Sequence, residues 1–254
     1  MARVKRGKRY ASPADLTYRK ALARIIARAE ATASALILER YPAWLSDMQD
    51  SIRSDAPTPT LGATIDGVLL RIAPLKTQAS DASREQATRV NVKNQSQANE
   101  TAEKLIGVQP FKSEPVFQTI ISDFADANAA LIKNIADTAV TQLGPIVRDG
   151  LVNGTSTKNM AKLISEKFKV SESRALFLAR DQTASLNAQL SQVRMRSAGI
   201  EKYEWSTSND ERVREEHVAR EGSIFSWSSP PEGGHPGEDY NCRCVAIPIF
   251  EETD

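Results

Sequence analysis

Apolar residues recur at helical spacing over most of the chain, and the pattern changes near residue 200. Leu16, Leu22, Ile25, Ile26, Ala29, Ala33, Leu36 and Ile37 form the first stripe, opened by Ser12-Pro13-Ala14-Asp15. Ser12 is a capping residue, Pro13 suits the first helical position, and Asp15 meets the positive end of the helix dipole. Tyr41-Pro42 predicts the end of that helix, with a shorter one over 44–53 and a break at Pro57 and Pro59. Leu61, Ile65, Val68, Leu69 and Ile72 form the next stripe, ending at Pro74.

From Lys76 to Glu103 the chain is polar on almost every helical face. Such a helix has no apolar stripe to bury, so a spacer, a partner-binding helix and a mobile segment are all open. Gly107, Pro110 and Pro115 mark a boundary. Phe117, Ile120, Ile121, Phe124, Leu131, Ile135 and Leu143 then line one helix face. Turns are expected at Gly144-Pro145 and over 150–154. Ser156 is placed to cap a helix carrying Met160, Leu163, Ile164 and Phe168. Ser171 is placed to cap a separate last helix carrying Ala175, Leu178, Ala179, Leu186, Leu190 and Val193, which stops at Gly199.

Beyond Gly199 the period shortens. Tyr203, Trp205 and Thr207 alternate as on a strand, 209–220 reads as a short helix, and Ile224, Phe225 and Trp227 suggest another strand. A loop rich in Pro and Gly covers 228–240, and 244–250 is a last β-like run broken by Pro248. The fold class is therefore α+β, mainly helical, with a small β-containing C-terminal tip. Two regions are expected: a helical, partly extended, partner-binding arm over 1–115, and a domain over 116–254 made of helices (116–199) and the tip (200–254).

The chain has 254 residues, 41% of them hydrophobic and 26% charged, with a net charge of +1. That is ordinary globular composition and excludes a global electrostatic grip on nucleic acid. The basic residues are uneven: Arg3, Lys5, Arg6, Lys8 and Arg9 lie within the first nine positions. They form either a solvated terminus or an arm for phosphates. Lys158, Lys162, Lys167 and Lys169 carry the same two readings. No apolar run reaches the ~18 residues of a membrane span, and no secretory signal follows the basic start.

The chain's two histidines and two cysteines all fall in its last forty or so residues: His217, His235, Cys242 and Cys244. Cysteines two apart on a strand share a face, with Arg243 opposite, and form a poor disulfide. On a helix, Asp210, Arg214 and His217 would stack. Asp210, His217, Cys242 and Cys244 are thus a candidate zinc set, with His235 or Asp239 as alternative ligands. The opposing readings are two core thiols, a helix-capping Asp210 and a hydrogen-bonded His217. Arg212, Arg214 and His217 raise phosphate chemistry. However, no carboxylate cluster, phosphate loop or nucleophile elbow accompanies them, so an enzyme and a small-molecule substrate are not expected.

Three stretches are found together: Asp149-Gly150-Leu151 with Asn153-Gly154-Thr155-Ser156; Arg174-Ala175, Ala179-Arg180-Asp181-Gln182-Thr183, Asn187 and Ala198-Gly199-Ile200; and Tyr203-x-Trp205, Asp210-x-Arg212-Val-Arg214-x-x-His217, Gly222, Pro236 and Asn241-Cys242-Arg243-Cys244. In order and spacing they resemble the phage Mu F-like head morphogenesis family over about 116–250. Asp181-Gln182-Thr183 departs from the family's usual Arg-Thr-Glu. The resemblance implies a minor capsid protein of a tailed bacteriophage, made in the host cytoplasm and placed in the virion, in the head interior or at the portal vertex. Its implied partners are the portal protein, the major capsid or scaffold protein, and packaged DNA, with a part in head assembly and in DNA packaging or ejection. Trp205, Arg212, Arg214, Gly222 and Arg243 would be the structural residues of its motif. The alternatives are a DNA-binding virion protein and a metal-dependent hydrolase.

Overall fold

The computed structural model describes residues 13–51, 61–111 and 115–249. Among the described residues, seven helices and three strands follow in chain order: α1 (Pro13–Ser51), α2 (Leu61–Ile72), α3 (Leu75–Ile106), α4 (Pro115–Thr141), α5 (Leu143–Val152), α6 (Thr157–Ser197), β1 (Lys202–Ser206), the single turn α7 (Glu215–Val218), β2 (Ile224–Ser226) and β3 (Val245–Ile249). The α+β, mainly helical class stands. Among the described residues, no helix is long and apolar enough to cross a membrane.

Two compact units share these helices. One combines Tyr18–Ser83 with Asp126–Leu178, and the other combines the start of α1, up to Thr17, with Arg84–Ala125 and Ala179 onward. The break at residue 115 therefore separates α3 from α4 rather than two domains. Consecutive long helices pass through both units, so each unit takes segments from either side of that break.

In the first unit, Leu22, Ile25, Ile26, Ala29, Ala33 and Ile37 of α1 are buried as their spacing requires. Leu16 and Leu131, placed on inward faces by periodicity, are exposed instead. The Tyr18 hydroxyl bonds Ser83 at 2.9 Å, and the Tyr41 hydroxyl donates to the Thr155 carbonyl at 3.0 Å. Burial lifts the Tyr18 phenol to about 12.

Three expected helix ends are corrected. Pro42 lies inside α1, on an exposed position, so the helix runs on. Gly144 and Pro145 fall in the first turn of α5, where a missing N–H costs nothing. Ser171 caps nothing: its hydroxyl turns back to the Lys167 carbonyl at 3.2 Å, and α6 continues for 41 residues. Ser156 does cap α6, accepting the Asn159 N–H at 3.3 Å.

From Arg84 onward the polar segment is a helix built into the second unit. Ala87 and Val90 of α3 pack with Phe117, Ile120, Ile121 and Phe124 of α4 and with Leu186 and Leu190 of α6. Its buried polar side chains meet polar partners on α6. The Asn94 amide donates to Asn187 Oδ1 at 2.8 Å and to Ser191 Oγ at 2.7 Å. The buried Arg194 guanidinium donates to the side-chain oxygens of Asn91 and Asn94 and lies 4.2 Å from the Phe117 ring centroid. Matched polar groups allow a helix without an apolar stripe to be buried.

The terminal sheet is antiparallel, in the order β2-β1-β3. Tyr203 of the central strand faces Phe225 on one side and Pro248 on the other. Pro248 is tolerated because β3 is an edge strand. Tyr203 and Trp205 point into a small core with Trp227, Cys242 and Cys244, while Lys202 and Glu204 face outward.

Candidate metal centre

Three sequence elements bring the donor atoms together. His217 stands on α7, which starts after Arg214 in extended conformation. The expected helix over 209–220 shortens to this one turn. Before it, the Asp210 carbonyl accepts the Val213 N–H and its side chain accepts the Arg212 N–H, making a tight turn. Cys242 and Cys244 lie just ahead of β3 rather than on it. Their sulfurs nonetheless converge, because Cys242 Sγ accepts the N–H groups of Gly237 and Cys244, each at 3.4 Å.

The chain ahead of the cysteines is seated on α6. The Asp181 carboxylate is buried and accepts the Asn241 N–H at 2.5 Å. Ser185 donates to the Gly237 carbonyl at 3.3 Å. Gly237 has φ 89°, and a Cβ there would lie 2.5 Å from the Ala188 methyl. Asp181, Ser185 and Ala188 are thus one docking face. The departure from the family pattern at 181–183 carries a structural role, one that sequence comparison alone obscured.

His217 is buried between two environments. Its Nδ1 lies 3.7 Å from Cys242 Sγ and 3.5 Å from Cys244 Sγ. Its Nε2 lies 3.6 Å from Asp239 Oδ2. Asp239 is in turn held by Arg214 Nη1 at 2.8 Å and accepts the Tyr240 N–H at 2.7 Å. Arg214 Nη2 also reaches the Tyr240 carbonyl at 2.7 Å. The Trp205 ring meets the His217 ring edge-on, with centroids 5.1 Å apart.

Both cysteines are free thiols. The Cys242 thiol is held down to about 6, first by the hydrogen bond from the Cys244 thiol, then by the Cys244 and Gly237 N–H groups and the nearby His217, with burial opposing. Cys244 moves the other way: it donates to Cys242, is buried, and sits beside the developing negative charge. A single proton shared by two sulfurs produces this split.

Two expected ligands fall elsewhere. Asp210 is not at the cluster; its carboxylate is clamped by both Arg243 guanidinium nitrogens at 2.5 and 2.6 Å. That pair, aided by the Arg212 N–H and opposed by desolvation, holds the Asp210 carboxyl down at about 2. Arg243, expected on the face opposite the thiols, is what occupies it. His235 lies on the aromatic side of the tip. Its Nδ1 is 2.8 Å from the Tyr203 hydroxyl, and it also bonds the Trp227 backbone. Burial lowers its pKa and raises that of Tyr203 to about 12, so a neutral imidazole accepting from a neutral phenol is favoured.

The remaining motif residues are structural or exposed. Gly222 adopts φ 74° in the turn whose N–H returns to the Trp205 carbonyl at 2.9 Å. The Arg212 side chain is exposed, as are Lys158, Lys162 and Lys169. Arg3, Lys5, Arg6, Lys8 and Arg9 lie outside the described residues.

Residues 141–247 match the family model described as Phage Mu protein F like protein. This segment is similar to that family. It contains the α6 docking face and every donor atom described above. A protein of Haemophilus influenzae, itself named only as uncharacterised, is 40% identical over 144 residues, which is 56% of this chain and 32% of that protein. The chain thus spans about a third of the relative's length. No solved structure matches.

Proposed function

We propose that this protein is a minor head protein of a tailed bacteriophage, acting in head morphogenesis at the portal vertex. The observation that supports this reading is the Mu F-like match over 141–247, which takes in the whole core of the tip, Tyr203, Trp205, Trp227, Cys242 and Cys244. Portal protein is the proposed principal partner, with major capsid or scaffold protein as further contacts. The protein would assist head assembly and DNA packaging or delivery. Its chemistry is recognition rather than turnover. The convergent groups are buried thiols, a buried imidazole and paired charges, which suit a fixed shape better than access for a substrate.

Purified particles of the phage that carries the gene provide the test. Quantitative mass spectrometry should find the full chain at a few copies per particle, and cross-linking should join it to portal peptides. Its absence from both particles and proheads would overturn the reading. Salt-sensitive duplex binding by the full chain, without portal cross-links, would favour a DNA-binding virion protein instead.

A further inference from the structure

We infer that His217 Nδ1, Cys242 Sγ and Cys244 Sγ bind one zinc ion. In this site Asp239 is the outer carboxylate that orients the imidazole, and a water takes the fourth corner. The inference goes beyond the virion role and does not depend on it.

Geometry carries the argument. Tetrahedral zinc has Zn–S of about 2.3 Å and Zn–N of about 2.0 Å, which places sulfur and nitrogen roughly 3.5–3.6 Å apart. The observed separations are 3.5 and 3.7 Å, and all three donor atoms lie within 4.8 Å of one another. All three residues are buried. Ligand type agrees: two thiolates and an imidazole select zinc over magnesium or calcium.

The surroundings agree as well. Zinc-binding histidines usually present their second nitrogen to a carboxylate, which fixes tautomer and ring angle. Here Nε2 faces Asp239, which Arg214 holds in place. The N–H groups of Gly237 and Cys244 point at Cys242 Sγ, as donors stabilising a thiolate do. Among the described residues, no fourth His, Cys, Asp or Glu joins this cluster. Asp210 is committed to Arg243 and His235 to Tyr203. Binding therefore leaves the fourth position to solvent, and any proton still on either thiol is released to water.

The full-length chain is to be stripped with a chelator under reducing conditions and titrated with zinc, then separately with cobalt. One equivalent of zinc should bind per chain, and cobalt should give thiolate charge-transfer bands with intense tetrahedral ligand-field bands. Substoichiometric uptake by the wild type, or a cobalt spectrum without thiolate bands, would overturn the proposal. Full retention of zinc by a Cys242→Ser, Cys244→Ser double variant would overturn it too. If that variant is unfolded by circular dichroism, the wild-type titration decides alone.

Asp239→Asn should keep the stoichiometry and weaken zinc binding about 10–100-fold; unchanged affinity would remove its orienting role. Asp210→Asn should leave affinity unchanged, and a loss comparable to a ligand's would return Asp210 to the first shell. Azide should shift the cobalt ligand-field bands, whereas bands that do not move would assign the fourth corner to a protein group.

Discussion

Asp181 is the residue on which the cysteine-bearing turn hangs. Its buried carboxylate takes the N–H of Asn241, which holds φ at 55°, one position before Cys242. Removing that acceptor leaves a buried N–H unpaired. Asp181→Ala is therefore expected to cost about 1–3 kcal/mol in urea denaturation, and Asp181→Asn, which keeps an oxygen, distinctly less. Asp210 gives a pH signature. Its folded pKa is about 2, below the ordinary 3.8, so its ion pair stabilises fully above pH ~4 and is lost as pH falls towards 2. Carboxyl NMR titration should show the low midpoint in the wild type and a return to the ordinary range in Arg243→Ala. At this scale much was legible: two cysteines and one histidine in a short stretch do meet. The choice of acid was not. A helical register linked Asp210 to His217, but the chain makes a turn at Asp210–Val213, and a carboxylate beside Arg243 is drawn to the guanidinium.

Helix ends were the least legible feature, for a common reason. Pro42 and Ser171 are residues that end isolated helices, yet both sit in helices whose flanking turns are held by packing. Pro42 still lacks an N–H for the Leu38 carbonyl. Pro42→Ala should therefore stabilise the protein by about 1–2 kcal/mol, net of the unfolded-state entropy that proline removes; thermal denaturation would read it. The polar helix α3 misled for a different reason. Hydrophobic periodicity under-reports a helix whose buried positions include Gln86, Asn91 and Asn94 beside small apolar residues, because the partners of these three lie about a hundred residues away on α6. Arg194 is the centre of that seam. Arg194→Ala strands the two asparagine oxygens and removes the contact with Phe117, for an expected cost of about 2–4 kcal/mol in urea denaturation. Arg194→Lys should recover little of it, since an ammonium cannot fork between two acceptors.

For the whole molecule, periodicity named the helices but not their grouping. Both units are assembled from distant stretches, and the end of α3 and the start of α4, on either side of the proline-rich break, belong to the same one. The tip was the most legible part, since its contacts span fewer residues than the seam between α3 and α6. Its core of Tyr203, Trp205, Trp227, Cys242 and Cys244 is also distinct from the core that α3, α4 and α6 share. A small cluster closed by an ion can open by itself. Under chelation, amide hydrogens of β1 and β3 should exchange quickly while those of α3 and α6 around Asn94 and Arg194 stay slow. The molecule would then behave as a sturdy handle with a detachable clasp, released by metal scarcity rather than by heat.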